Sequence, residues 1–476
     1  VGTGFPQTEK QVPLRNVNQT TIRELEKAVP ESMKKADIPG VSLALIKDGN
    51  TYWVHSFGVK NTTTQQPVTN GTVFEAASLS KPVLAYAVLK LVDEGKINLD
   101  TPLTKYLPGS YDVSGDDRIN QITARIVLSH RTGFPNWRDD GPLKIFFQPG
   151  ERFSYSGEGF VYLGKVVEHI TGMPLNDFIK KTVFDPLGMT SSSYLWRPDY
   201  DHRAATGHNG DGKPQEKNKP TKVNAAASLH TTASDYARFM EAILNGTGLK
   251  PATRKAMLTA QVAVDPECTN CTDREPKSRS KEVFWGLGVG LQKTPQGESF
   301  WHWGDNGVFK CYMVAYVKQK TGLVMFTNSE NGLAIREDVV ETALGGEQPA
   351  FEWARYDTYN SPAFRFWAAI KDKGTEAAIP EFRAPLKSGE ISEESLNTIG
   401  YRLVRRKNFS DAIRIFRLNV ENHPGSWNAY DSLGEGYMDA GEKALAIQNY
   451  EKSLKLNPKN SNGEAMLKKL MTGTGQ

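Results

Sequence analysis

FEAASLSKPVLAYAVLKLVDEG, residues 74–95, sets a lysine directly behind two serines at the head of an apolar segment. Val83, Leu84, Ala87, Val88, Leu91 and Val92 recur at helical spacing, and Gly95 supplies a stop. Pro82 is tolerated only in a first turn, so the helix is predicted to begin close to Ser78. Residues three apart share a helix face, which puts Ser78 beside Lys81, whereas Ser80 and Lys81 diverge. A hydroxyl at a helix N-terminus next to an amine, on a helix otherwise apolar, is the pattern of a nucleophile and its base.

A serine and a lysine alone are weak evidence, and their partners must come from elsewhere in the chain. In PGERFSYSGEGFVYLGKVVEHITG, residues 149–172, Tyr155 lies in a short polar turn just before an amphipathic helix. A tyrosinate there would share proton shuttling with Lys81; the plainer alternative is a core tyrosine with a satisfied hydroxyl. A strand presenting a backbone N–H and a polar side chain opposite the serine is also needed. Lys320-Thr321-Gly322 falls at a hairpin turn, whereas His302-Trp303-Gly304 lies in ESFWHWGDNGVFKCYMVAY, where a strand edge can line a cleft. A strand fixes a side chain against the serine and an exposed turn does not, so His302 is preferred and KTG is read as a decoy.

VSLALIKDGNTYWVHSFGV reads as a hairpin turning at residues 48–50, and FKCYMVAYVKQKTGLVMFTN as another turning at residues 320–322. Helical stretches such as GFVYLGKVVEHITG and SDYARFMEAILNG lie between them. The fold class expected for residues 1–345 is α+β: one antiparallel sheet flanked by helices, with an inserted helical region. Beyond this the chain repeats at a period of 34: Ile399 and Leu433, Gly400 and Gly434, Ala412 and Ala446, Phe416 and Tyr450, Pro424 and Pro458. Period and residue types match the tetratricopeptide repeat, an all-α unit of two antiparallel helices. Residues 391–476 are therefore expected to hold such repeats and a capping helix. Residues 346–390 are expected to form an aromatic-rich connector with a third, degenerate unit around Ala378 and Phe382. Phe351, Trp353, Tyr356, Tyr359, Phe364, Phe366 and Trp367 are read as fastening the array to the first domain.

The 476 residues are 38% hydrophobic and 24% charged, with a net charge of +4 spread along the chain, so nothing points to nucleic acid. No apolar run approaches the roughly 18 residues of a membrane helix. Cys268 and Cys271 in PECTNCTD lack a second ligand pair for zinc, so no metal is expected, and a short disulfide is favoured if the protein is exported. The chain begins at Val1, and a periplasmic or secreted location with a removed leader is the expectation.

IPGVSLALIKDG, SLSK, INLDTPLTKYLP, LSHRTGFPNW, PGERFSYSGEGF, PLGMTSS, TTASDYARFM, GLGVGL and HWGDNGVF follow one another in this order. The run resembles the serine β-lactamase and penicillin-binding-protein superfamily, above all its class C β-lactamase, D-peptidase and esterase branch. The resemblance spans most of residues 20–345 and implies a β-lactamase/transpeptidase-like fold. It implies that Ser78 forms an acyl-enzyme, with Lys81, Tyr155 and His302 as further catalytic residues and no metal or organic cofactor. It places the oxyanion hole at the backbone N–H groups of Ser78 and Asp305, and substrate contacts at Gly157 and Gly304.

Two departures bear on substrate. The family's Tyr-x-Asn is Tyr155-Ser156-Gly157 here, and Gly157 cannot donate the hydrogen bond that the asparagine gives to a substrate amide. His302 replaces a permanently cationic lysine with a group mostly neutral near pH 7. Both favour small esters, or amides and peptides without a carboxylate anchor, over the alternative of a β-lactamase or DD-carboxypeptidase. The rival classes are an inactive hydrolase scaffold and a repeat-based adaptor. The repeats offer a surface for a protein partner, although intramolecular packing is the preferred reading.

Overall fold

The computed structural model describes residues 13–109, 111–113, 115–138, 141–272 and 274–472. Asp48 and Gly49 both take positive φ, 52° and 75°, which makes the tight primed turn joining β1 (Gly40–Lys47) to β2 (Asn50–Gly58). The second hairpin joins β9 (Lys310–Tyr316) to β10 (Thr321–Thr327). Tyr316 pairs with Thr321, so the turn is residues 317–320, and Thr321 and Gly322 already belong to the strand. The expected turn at 320–322 is thus corrected toward the N-terminus, because Lys320 itself supplies the left-handed residue, at φ 49°.

These hairpins are neighbours in one eight-stranded antiparallel sheet, ordered β2-β1-β10-β9-β8-β7-β6-β5. Its other strands are β5 (Val262–Ala263), β6 (Val283–Trp285), β7 (Gly290–Thr294) and β8 (Gly297–Asp305). A separate ribbon pairs β3 (Phe74–Glu75) with β4 (His230–Thr231). β1 is buried from Gly40 to Ile46, which explains its unbroken apolar run. The helix Ala233–Asn245 packs on β1, β2 and β10, and α1 (Gln19–Lys35) packs with the helix Arg336–Ala343. This is the antiparallel, helix-flanked α+β arrangement that the sequence predicts.

The helical region is centred on α2 (Ser80–Asp93), which is buried at every position from Ser80 to Leu89 and again at Leu91. A helix apolar on all sides must be enclosed on all sides. Short α3 (Ala124–Leu128) and long α4 (Gly157–Thr171) lie in the same cluster. α4 is capped by Ser156, whose Oγ accepts from the Gly159 N–H at 3.1 Å, and ends on left-handed Gly172. Among the described residues no helix is long and apolar enough to cross a membrane.

A second compact unit begins at Asp357. It contains the helices Pro362–Lys373, Thr375–Glu381, Arg383–Ser388, Glu393–Arg405, Phe409–Asn422, Trp427–Asp439, Lys443–Leu456 and Ser461–Thr472. The 34-residue period has a physical basis. Gly400 leaves room for Phe416, and Gly434 leaves room for Tyr450, each aromatic lying 16 residues after its glycine. Ala412 and Ala446 are fully buried in the same hairpins. One period earlier the glycine position is Phe366, which instead meets Phe382 ring to ring at 5.1 Å. The helix pair survives there with an aromatic contact replacing the close approach. The segment read as one connector divides between two cores: Phe351 and Trp353 are buried in the first unit, Phe366 and Trp367 in the second.

Candidate active site

Ser78 sits in a 3₁₀ turn, Ala77–Leu79, immediately before α2. Ala77 has φ 46°, an uncommon value for a residue with a Cβ, and it turns the chain so that the next side chain faces outward. Gly304 of β8 makes this possible. A Cβ on Gly304 would collide with Cys311 Sγ, approach the Ala76 carbonyl to 2.7 Å and Ala77 Cβ to 3.1 Å. The glycine lets the end of β8 lie flat against the segment that carries Ser78. Ser80 faces away: its Oγ donates to the Ala77 carbonyl at 2.6 Å and accepts from the Leu229 N–H at 3.0 Å.

Lys81 Nζ lies 2.9 Å from Ser78 Oγ and donates to the Ala226 carbonyl at 3.0 Å. Burial pulls its ammonium down to about 7, so the free amine is well populated at neutral pH. Its contact with Tyr155 is through the ring face, 4.8 Å from the centroid. The Tyr155 backbone N–H donates to the Thr269 carbonyl at 2.8 Å, inside the loop closed by the Cys268–Cys271 disulfide. Burial pushes the Tyr155 phenol up, and the neighbouring Ser78 hydroxyl offsets only part of the rise. Oη nevertheless makes no hydrogen bond of normal geometry. Tyr155 is therefore a neutral phenol at physiological pH, which corrects the tyrosinate expected from the sequence.

Two histidines flank this phenol. His130 stacks on the Tyr155 ring at 4.3 Å, and its Nδ1 accepts from the Ser156 N–H at 2.9 Å, which leaves the proton on Nε2. His302 donates from Nδ1 to the Trp303 carbonyl at 2.7 Å, which leaves a lone pair on Nε2. Both Nε2 atoms are buried without a partner. Burial, then the charge of Lys81, lowers His302 to about 3 and His130 well below its ordinary value. Neither ring carries charge at neutral pH.

β7 pairs with β8 only as far as Trp301, so among the described residues His302–Asp305 form a free edge on that side. The Asp305 N–H lies on this edge. Its carboxylate would oppose a developing oxyanion, but it is engaged elsewhere. It accepts from Tyr356 Oη at 2.9 Å and from the Gly307 N–H at 2.8 Å, and it pairs with Lys310. Lys320 is remote from all of this, since the Thr321 end of β10 pairs with Tyr316 and Gly304 pairs with Cys311 near the opposite end of β9. Gly157 N–H donates to the Asn136 carbonyl at 3.0 Å, and Trp137 lies against its Cα.

The structure thus brings Ser78, Lys81, Tyr155, His302, Gly304 and Asp305 to one place and leaves Lys320 outside it. Sequence reasoning missed His130, Trp137, the Ala226 carbonyl and Tyr356. Of these only the LSHRTGFPNW stretch, which holds His130 and Trp137, carried any local signal.

The chain belongs to the Beta-lactamase family, whose family model matches residues 25–344. This is a superfamily of serine hydrolases that includes the penicillin-binding proteins. The chain is 26% identical over 336 residues to penicillin-binding protein 4 of Amycolatopsis lactamdurans, covering 65% of this chain and 85% of that protein. It is 27% identical over 297 residues to a putative D-alanyl-D-alanine carboxypeptidase of Escherichia coli, covering 51% and 68%. Among solved structures it resembles a class C beta-lactamase, with 22% identity and a TM-score of 0.57 over 68% of this chain and 95% of the other. At that identity the likeness is one of fold.

Proposed function

We propose that the chain is a serine acyl hydrolase that cleaves small esters, or small amides and peptides, through an acyl-enzyme on Ser78. The observation that carries this reading is an amine with a pKa near 7 held 2.9 Å from the Ser78 hydroxyl. Lys81 takes the Ser78 proton as Oγ attacks the carbonyl. The N–H groups of Ser78 and Asp305 receive the oxyanion, a contribution of about 3 kcal/mol per donor in comparable sites. The Lys81 ammonium formed in this step faces the Tyr155 ring and lowers the phenol's pKa for that moment. Tyr155 then protonates the leaving group and is reprotonated by Lys81. Water attacks the acyl-enzyme by the same relay in reverse, releasing the acid and restoring Ser78.

His302 stays neutral, so it offers no cation to a substrate carboxylate, and Gly157 offers no amide. Both features support the ester or small-amide reading. The second reading, a carboxypeptidase or β-lactamase, draws on the names of the relatives. We also assign the second unit to tetratricopeptide-type repeats, on the recurring Gly400–Phe416 and Gly434–Tyr450 contacts. Export is favoured by the Cys268–Cys271 disulfide.

Fluorophosphonate treatment followed by mass spectrometry is expected to modify Ser78, and an unmodified Ser78 removes the hydrolase reading in favour of a scaffold. On the untreated enzyme, p-nitrophenyl acetate is expected to turn over clearly faster than nitrocefin. Nitrocefin hydrolysis at an efficiency of roughly 10⁶ M⁻¹s⁻¹ or above would transfer the assignment to the second reading.

The pH profile tests the base directly. Only the free amine accepts the Ser78 proton, so kcat/KM is expected to fall about tenfold per unit below pH of about 7 and to level off above it. With His302 lowered to about 3 and Tyr155 raised, neither adds a limb near neutrality. A profile flat down to about pH 5 removes Lys81 from this role.

A further inference from the structure

Trp137 is a large aromatic at the mouth of the site, 43% exposed, and the acyl-transfer steps make no use of it. Its loop is nonetheless tightly held. Ser156 Oγ donates to the Pro135 carbonyl at 2.7 Å. The Gly157 and Glu158 N–H groups donate to the Asn136 carbonyl at 3.0 and 3.1 Å. Arg138 pairs with Glu158 and with Asp112, each at 2.9 Å. The first turn of α4 therefore clamps residues 135–138 and fixes where the indole stands.

That place is beside the chemistry. A Cβ on Gly157 would come within 2.6 and 2.7 Å of the indole ring carbons Cη2 and Cζ3, so the ring occupies the space a side chain at 157 would need. Lys81 Nζ lies 5.8 Å from the indole centroid and 2.9 Å from Ser78 Oγ, so a substrate bonded to Oγ passes within reach of the ring. An apolar face held rigid and left open next to a nucleophile is a surface that gains from being covered. Its preferred partner is another flat apolar group, stacked or edge-on.

We propose that Trp137 is a specificity-determining residue whose indole binds an aromatic or other flat apolar group of the substrate beside the scissile carbonyl. The proposal rests on the acyl-enzyme reading of Ser78. It assigns to Gly157 a positive role: a bare Cα that admits the ring. The group bound can belong to the acyl part or to the leaving alcohol, and two ester series separate these sources.

In the first series the leaving group is p-nitrophenol and the acyl group is acetyl or phenylacetyl; in the second the acyl group is acetyl and the alcohol is ethanol or phenol. Trp137→Ala is expected to lower the aryl-to-alkyl ratio of kcat/KM about tenfold in one series, chiefly through KM, and Trp137→Phe to restore most of it. Gly157→Ala, which pushes on the ring without removing it, is expected to lower the same ratio. The series that responds names the side of the substrate that is bound. Ratios unchanged within about twofold in both series, for an enzyme that fluorophosphonate still labels at Ser78, would overturn the proposal and leave the hydrolase reading standing. Absence of labelling in the unmodified protein would remove both.

Discussion

Ser78→Ala is expected to abolish hydrolysis of p-nitrophenyl acetate, a fall of at least about 10⁴-fold in kcat/KM, with the fold unchanged. The Oγ that Lys81 approaches at 2.9 Å is the atom lost, and no other hydroxyl takes its place. Ser80 is the natural control, since it is two residues from Ser78 and adjacent to Lys81 in sequence. Its Oγ is fully buried between the Ala77 carbonyl at 2.6 Å and the Leu229 N–H at 3.0 Å. Ser80→Ala strands the buried Leu229 N–H and is expected to cost about 1–3 kcal/mol of stability. It is expected to keep most of the activity. The two substitutions thus separate by readout: one moves the rate, the other the melting temperature. Equal losses of activity from both would sink the assignment of Ser78.

Why the serine was legible from sequence and its surroundings were not is a matter of range. The Ser78–Lys81 contact is local, fixed by helical spacing as soon as Pro82 sets the start of α2. The hairpin turn at Asp48-Gly49 is equally local. Gly400 and Gly434 announced themselves because their reason for being glycine, an aromatic 16 residues on, recurs at one period. The Ala226 carbonyl reaches Lys81 across 145 residues and is a backbone atom with no side-chain signature. Tyr155 as tyrosinate failed for a different reason: sequence shows a polar turn, whereas the ionisation of the phenol depends on burial among His130, Trp285 and Trp303. The aromatic segment after residue 345 read as one connector because its composition is uniform. Only packing reveals that it serves two cores.

That division makes the second large effect a stability effect. Trp353 is 4% exposed, and its ring stands 5.6 Å from those of Trp301 and Trp303, 5.7 Å from Phe153 and 6.2 Å from Trp285. Its Nε1 donates to the Asp265 carbonyl at 2.9 Å. These rings in turn wall Tyr155 and His302. Trp353→Ala is expected to cost about 3–5 kcal/mol, from lost burial, an unfilled cavity and a lost hydrogen bond. Truncation at residue 345 removes Phe351 and Tyr356 as well, uncovering Trp301 and Tyr312, and is expected to yield aggregating protein. Any soluble fraction should also hydrolyse esters poorly, although Ser78, Lys81, Tyr155 and His302 all remain. Without Tyr356 Oη the Asp305 carboxylate loses one of its anchors next to the N–H that is to receive the oxyanion. A chain ending at Tyr356 keeps every one of these contacts and isolates their effect. A soluble 345-residue truncation with full activity and an unchanged melting temperature would show instead that the aromatic segment contributes nothing to the hydrolase fold.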